Sequence, residues 1–334
     1  MKVAFFSAKE YDRHSFDTVC NDLDNSTQHE FTYFDLHLNQ QTVALVKGFR
    51  AVCVFVNDIL DEAVLDSLSR QQVEFVVLRC AGFNNVDLAA AEKYKIKVAR
   101  VPRYSPYAVA EHTLTLILNL LRKVHISYHR VREGNFSLTG LLGGNLHHKT
   151  VGLIGTGYIG AVVAKILKGF DCRVIAYDPI TNPTCVQLGV EYKTLQDIYV
   201  ESDIISLHCP LNKTTHHLIN EQAIAIMKQG VMLINTSRGA VVDTQALVQA
   251  LKNKKIAGLA LDVYEQEENV FFEDLSNQII EDDILERLMT FPNVIITGHQ
   301  GFFTSEALKE IAYITFKNLS DFESMGSSIN QIKF

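Results

Sequence analysis

Thr150-Val-Gly-Leu-Ile-Gly155-Thr-Gly157-Tyr-Ile-Gly160 is the stretch on which the fold turns. Three glycines at this spacing are a weak signal alone, and their surroundings give them weight. A β-branched apolar run enters the stretch, a helical run over residues 161–167 leaves it, and a second strand pattern over 173–176 leads to Asp178. A strand, a glycine turn, a helix and an acid after the next strand make the dinucleotide-binding arrangement. Gly155 allows the tight turn, Gly157 admits close approach of a pyrophosphate, and Gly160 lets helix and strand pack closely. The amides of Tyr158 and Ile159 fall at the helix N-terminus, where partial positive charge meets phosphate. Asp178 lies eighteen residues past Gly160 and is positioned for the adenine ribose. A carboxylate there accepts from a 2′-hydroxyl and repels a 2′-phosphate, so NAD is expected rather than NADP.

Outward from this stretch, short apolar runs alternate with longer helical patterns. Strands are expected at residues 3–7, 51–56, 75–78, 150–154, 173–176, 204–207, 231–235, 257–261 and 294–297. Continuous runs such as VMLIN (231–235) suit strands buried on both faces of a parallel sheet. Their alternation with helices predicts a doubly wound α/β fold.

At 334 residues, two domains are expected. The prolines of VPRYSP (101–106) mark a break before a long apolar helix from Tyr107 to about Val131, with Ser105 as N-cap and Pro106 at its first position. A second helical pattern follows Ser305. From periodicity alone, this last segment either rejoins the first domain or simply ends the second. Residues 265–286 read as an acidic surface loop with a short helix.

Composition narrows the function classes. Hydrophobic residues are 47% and charged residues 21%, an ordinary globular balance. The net charge of -7 argues against nucleic acid or an anionic membrane as partner. No run reads as a signal peptide or a membrane span. Six scattered cysteines without C-x-x-C spacing fit reduced thiols in a cytoplasmic protein. His147-His148 and His216-His217 read as surface pairs: adjacent histidines are expected to diverge, and no carboxylate or cysteine spacing completes a metal site.

The later strands all end in polar clusters, where ligands bind in open α/β sheets. The run 231–235 ends in Thr236-Ser237-Arg238-Gly239, the run 257–261 in Asp262-Val-Tyr-Glu-Gln-Glu267, and the run 294–297 in Gly298-His299-Gln300. A guanidinium can grip a carboxylate bidentately. An imidazolium can deliver a proton to a nascent alkoxide, and a neighbouring carboxylate stabilises that cation. Reduction of a 2-oxo acid by hydride transfer needs these parts. Glu265 and Glu268 compete with Glu267 for the carboxylate role.

LRCAGFNNVD (78–87), VPRYSPYAVAEH (101–112), GLIGTGYIG (152–160), SLHCPL (206–211), NTSRGAVVD (235–243), LDVYEQE (261–267) and TGHQGFFT (297–304) together carry a family resemblance. Over nearly its whole length the chain resembles the D-isomer-specific 2-hydroxyacid dehydrogenases, and within them the fermentative bacterial enzymes that form D-lactate. The resemblance implies a Rossmann-type NAD domain, residues 102–299, inserted in a flavodoxin-like substrate domain, residues 1–101 and 300–334. It implies that Arg238, Glu267 and His299 are catalytic and that His299 donates the proton. It places Asp262 at the nicotinamide end, with Cys209, Pro210, Thr215, Thr236 and Ser237 along the cofactor cleft. Arg79, Gly82 and Tyr104 would meet substrate, and Phe302 with Tyr104 would wall a pocket for a side chain as short as pyruvate's methyl. Cys209 receives no chemical role. The resemblance also implies a homodimer or larger homo-oligomer, and closure hinged near Pro102 and Gln300. Another D-2-hydroxy acid, or an NAD(H)-sensing binding protein of the same fold, is the alternative reading; turnover of small 2-oxo acids separates them.

Overall fold

Alternate residues of the later strands pack into two different cores, which is why those strands read as unbroken apolar runs. In Val231–Asn235, Val231 and Leu233 join one cluster while Met232 and Ile234 join another across the sheet. Full burial of each such side chain is worth about 1.5–3 kcal/mol, so a polar substitution on either face is costly.

The computed structural model describes residues 1–23, 29–267 and 270–333. The chain divides into two compact units, Met1–Ser105 with Phe303–Phe334, and Pro106–Phe302. The first unit contains β1 (Lys2–Phe5), β2 (Glu30–Tyr33), β3 (Ala51–Val54), β4 (Phe75–Leu78) and β5 (Lys97–Arg100). Among the described residues these form one parallel sheet in the order β2-β1-β3-β4-β5, the flavodoxin-like order. The helix Ser305–Met325 returns to this unit, burying Phe316, Leu319 and Phe322 with Val3, Phe5 and Phe75. Thr304 caps it by accepting from the Ala307 amide, and Gly326 ends it at φ 70°.

The second unit contains β6 (Thr150–Ile154), β7 (Arg173–Tyr177), β8 (Glu191–Tyr192), β9 (Ile204–Leu207), β10 (Val231–Asn235), β11 (Ile256–Leu261) and β12 (Val294–Ile296). Its order, β12-β11-β10-β9-β6-β7-β8, is that of a Rossmann-type sheet, parallel throughout. The direction of winding reverses between β6 and β9, so the carboxyl ends of these two strands mark the expected ligand crevice.

Two expectations need correction. The long helix does not run unbroken to Val131. It spans Pro106–Arg122, Lys123 adopts a left-handed conformation (φ 52°), and a second helix spans Val124–Arg132. The Asn119 side chain accepts from the His125 amide and so helps secure that break. Strands β2, β5 and β8 were also not expected; each is short, and charged residues flank or occupy it.

Candidate active site

At the reversal of the second sheet, the glycine loop meets the end of β9. Gly155 has φ +99°, and a Cβ there would lie 2.6 Å from the His208 carbonyl, so only glycine makes this turn without displacing backbone. A Cβ at Gly160 would lie 2.2 Å from the Gly155 oxygen, whereas space beside Gly157 is open. The helix Tyr158–Gly169 begins there with no side chain capping it. Tyr158 and Ile159 therefore stand at a helix N-terminus that faces an open cradle, which fits a dinucleotide pyrophosphate.

Asp178, after β7, accepts from the Thr156 amide at 2.7 Å and the Ile180 amide at 2.9 Å. It thus holds the glycine loop, and it is the acid expected from the sequence at the adenine ribose. Tyr192 and Asn182 complete this support: the tyrosine hydroxyl donates to the Thr156 hydroxyl at 2.8 Å, and the Asn182 amide side chain donates to the Thr156 carbonyl at 2.7 Å. Across the loop, His208 has a buried Nδ1 with no hydrogen-bond partner among the described residues, while its Nε2 pairs with the Ser206 hydroxyl at 2.8 Å. Burial lowers its pKa to about 4, which keeps the ring neutral. An orphaned polar atom beside the cradle is a mark of a site made for a ligand. The motif SLHCPL contained this residue, but its position alone gave it no role.

The remaining cofactor candidates sit on ordered turns. Thr215 donates to the Pro210 carbonyl at 2.6 Å and accepts from the Asn212 amide at 2.8 Å. Cys209 is buried, and burial raises its pKa to about 11, so it is a thiol rather than a nucleophile at neutral pH. Thr236 shares a 2.9 Å hydroxyl bond with Thr113. The buried Asn235 accepts from the Ser237 amide and hydroxyl and donates to the Arg238 carbonyl, fixing the loop that presents Arg238. Asn235 is another functional side chain that sequence reasoning passed over.

The catalytic candidates converge on the neighbouring strand ends. His299 Nδ1 lies 2.9 Å from Glu267 Oε1, and Glu267 Oε2 accepts from the Tyr264 amide at 3.0 Å. Both side chains are about four-fifths buried, at 18% and 21% exposure, so solvent screens the pair only partly. His299 adopts a left-handed backbone (φ 53°), a costly conformation that its neighbours must impose. Gly239, the residue after Arg238, packs against the loop that leads to Glu267, where a Cβ would lie 2.1 Å from the Tyr264 carbonyl. Arg238 Nη1 donates to the Ser237 carbonyl at 2.6 Å, and among the described residues no carboxylate pairs with its guanidinium. An arginine held this way can take an anionic ligand.

Phe272 and Phe302 stand near the imidazole, with ring centroids 5.7 and 6.4 Å from it. They supply an apolar wall, of which Phe302 was expected and Phe272 was not.

Asp262 is buried, and its two oxygens accept from His112, Thr297 and the amides of Gln300 and Gly301. The competing carboxylate Glu265 is engaged elsewhere, with His217 at 2.6 Å and Thr244 at 3.1 Å, and Glu268 lies outside the described residues.

Two expectations change. The neighbouring histidines 216 and 217 do not diverge: their rings stack, with centroids 4.0 Å apart and planes at 23°. Glu265 brings a carboxylate to them, and one ligand atom from each of the three lies within 4.8 Å of the others. A metal ion must sit in the plane of each ligating ring, and nearly parallel stacked planes do not meet at one ion. The second concerns Arg79, which was expected to touch substrate. It is 2% exposed, and its guanidinium binds both oxygens of Asp12 and the carbonyls of Phe6 and Ser7. It braces the loops at the end of β1 from within. Of its neighbours, the Gly82 carbonyl accepts from the Cys80 thiol at 3.2 Å, and Tyr104 is half-buried.

Residues 114–301 match the profile of the D-isomer specific 2-hydroxyacid dehydrogenase, NAD binding domain. The chain is 51% identical over 322 residues to 2-hydroxyacid dehydrogenase A of Aspergillus oryzae, covering 96% of this chain and 92% of that one. It is 48% identical over 332 residues to the D-lactate dehydrogenase of Escherichia coli strain K12, covering 99% and 100%. The apo-structure of the Escherichia coli D-lactate dehydrogenase superposes over 100% of both chains with a TM-score of 0.90 and 45% identity.

Proposed function

Because the chain belongs to the D-isomer-specific 2-hydroxyacid dehydrogenases, NAD-dependent oxidoreductases, we propose that it is a D-lactate dehydrogenase that reduces pyruvate to D-lactate. The observation that carries this reading is the Glu267–His299 pair at 2.9 Å on the loops that adjoin Arg238. The glycine loop and Asp178 would hold NADH, which would supply the hydride when bound. The Arg238 guanidinium binds the substrate carboxylate bidentately and so fixes which carbonyl face is presented. Glu267 accepts from Nδ1 of His299, which leaves Nε2–H as the donor toward the carbonyl oxygen. As that oxygen gains charge, His299 delivers its proton there, and the carboxylate stabilises the cation until it does. Phe272 and Phe302 exclude water and favour a short apolar side chain.

NADH oxidation over a panel of small 2-oxo acids, with chiral analysis of product, tests this. Pyruvate should be turned over to the D-isomer, and His299→Gln should lower kcat at least ~10²-fold. Turnover confined to a bulkier 2-oxo acid would replace lactate as the product. Absence of turnover with every one would leave an NAD(H)-binding protein.

The helix Val124–Arg132 buries none of its residues, and Tyr128, Phe136, Leu138 and Leu142 near it are 57–89% exposed. Apolar surface of this kind is characteristic of subunit contacts. A second copy of the chain is proposed to cover it, giving a homo-oligomer; light scattering should find at least a dimer, and a monomer at micromolar concentration would exclude it. No helix of the described residues is long and apolar enough to cross a membrane. None of the six cysteines forms a disulfide among the described residues, and a cytoplasmic location is proposed, checked by cell fractionation.

A further inference from the structure

The strained backbone of His299 has to be held by something, and Glu267 holds only its ring. The backbone support lies on the other side. The amides of Gln300 and Gly301 each donate at 2.9 Å to the buried carboxylate of Asp262, one to each oxygen. The hydroxyl of Thr297 donates to Oδ1 at 2.5 Å. The segment that carries His299 is therefore tied to one carboxylate two residues before the histidine and at the two residues directly after it.

That carboxylate needs a fixed position of its own. His112, on the helix Pro106–Arg122, has its Nε2 3.1 Å from Asp262 Oδ1 and 3.2 Å from the Thr297 hydroxyl. The hydroxyl proton is already given to Asp262, so both neighbours are acceptors and Nε2 must carry hydrogen. The ring is largely buried, at 13% exposure. Burial alone would raise the Asp262 pKa, but the hydrogen bond and charge of His112, the Thr297 bond and the charge of His299 outweigh it and hold the carboxyl below its usual range. The next residue, Thr113, makes the 2.9 Å bond to Thr236, so the same helix turn reaches the loop before Arg238.

We infer that His112 is a positioning residue for the proposed reaction: its Nε2–H fixes Asp262, and Asp262 in turn fixes the backbone that aims His299. This rests on the reading of His299 as proton donor. It does not require His112 to touch substrate or cofactor.

Three substitutions separate aiming from packing. Glutamine places an N–H near the position of the histidine Nε2, asparagine is too short to reach, and phenylalanine keeps the ring without the donor. His112→Asn and His112→Phe should lower kcat with pyruvate by roughly 10- to 100-fold, the scale on which a misplaced catalytic group acts, with NADH affinity within about twofold. His112→Gln should stay within about threefold of the wild type. Hydrogen exchange, read in the unaltered protein and each variant without substrate, should be at least ~10-fold faster over residues 299–302 in the asparagine and phenylalanine variants and close to the wild type in the glutamine variant. The idea is overturned if glutamine and asparagine behave alike in both readouts, or if exchange there is the same in all three. Should the phenylalanine variant not fold, the glutamine–asparagine contrast still decides. If the wild type turns over no 2-oxo acid, the proposed function fails, while exchange at Gln300 and Gly301 continues to test the clamp.

Discussion

Replacing Glu267 by glutamine changes one oxygen to an amino group and removes a charge, and the structure allows the consequence to be sized. Both carboxylate oxygens are used as acceptors, one by His299 Nδ1 at 2.9 Å and the other by the Tyr264 amide at 3.0 Å. An amide has one acceptor oxygen, so it can serve the imidazole or the backbone but not both. The donor left over costs about 1–3 kcal/mol, and a charge-assisted bond becomes a neutral one, losing about 1 kcal/mol more. Part of this cost falls equally on ground and transition states, so about 1.4–2.8 kcal/mol should appear in the barrier. That is a roughly 10- to 100-fold lower kcat for Glu267→Gln with pyruvate and NADH. Steady-state NADH oxidation measures it, and fluorescence quenching should find NADH affinity within about twofold of the parent. A kcat within a factor of two of the parent would refute the argument. So would a loss of cofactor binding that accounts for the whole effect.

Asp178→Asn should relax the rejection of NADPH by at least ~10-fold in kcat/KM, since the charge that opposes a 2′-phosphate is gone. Asparagine is the milder choice because its one acceptor oxygen can still hold the Thr156 or the Ile180 amide, which bond to different oxygens of Asp178, whereas alanine would release both. Arg79→Met leaves the buried Asp12 uncompensated, and urea unfolding should show a loss of about 3–5 kcal/mol; a loss below ~1 kcal/mol would mean that the network relaxes around it. His208, with its pKa lowered by burial to about 4, stays neutral in the fold while the unfolded chain protonates near 6.5. The unfolded state therefore binds more protons in this range, so stability should fall by roughly 3 kcal/mol between about pH 7.5 and 4, and this group should contribute no change above about 7.5. Unfolding measured against His208→Gln should show that difference, and parallel pH curves would exclude it.

What the sequence disclosed follows from how much each feature depends on distant chain. Strand β10 was legible because both its faces are apolar, and the run VMLIN says so without help from neighbours. Strand β2, Glu-Phe-Thr-Tyr at a sheet edge, alternates exposed and half-buried residues and carries too little apolar signal. The helix break at Lys123 contains neither glycine nor proline, and its cause, the Asn119 cap of His125, is a side-chain geometry with no pattern. In the candidate site, Arg238, Glu267 and His299 stand out in the sequence because each follows within a few residues of a strand end, and ends of parallel strands are where chemistry collects. Arg79 misled because it too follows a strand. Only its contact with Asp12, 67 residues away, shows that its charge is spent inside the protein.

The same distance effect explains why the supporting groups were overlooked, and it says something about how the site is made. Asp58 accepts from the amides of Leu38 and Phe55, Asp178 from Thr156 and Ile180, Asn235 from Ser237, and Asp262 from Gln300 and Gly301. Each lies at or just beyond the carboxyl end of a strand, and each uses a side-chain oxygen to secure loop amides that the sheet no longer pairs. Buried amides must find acceptors. A rigid strand end is the one place from which a short side chain can supply them in a fixed geometry. A buried anion is itself costly unless donors surround it, so each such acid is stable only while its loop is in place. Loop order and acid burial therefore stabilise each other, and residues such as His299 can keep a conformation that their own backbone would not choose. The side chains proposed as catalytic are visible in sequence as types. Their aim is set by partners as far off as His112, 185 residues before Thr297, and no local pattern records that pairing.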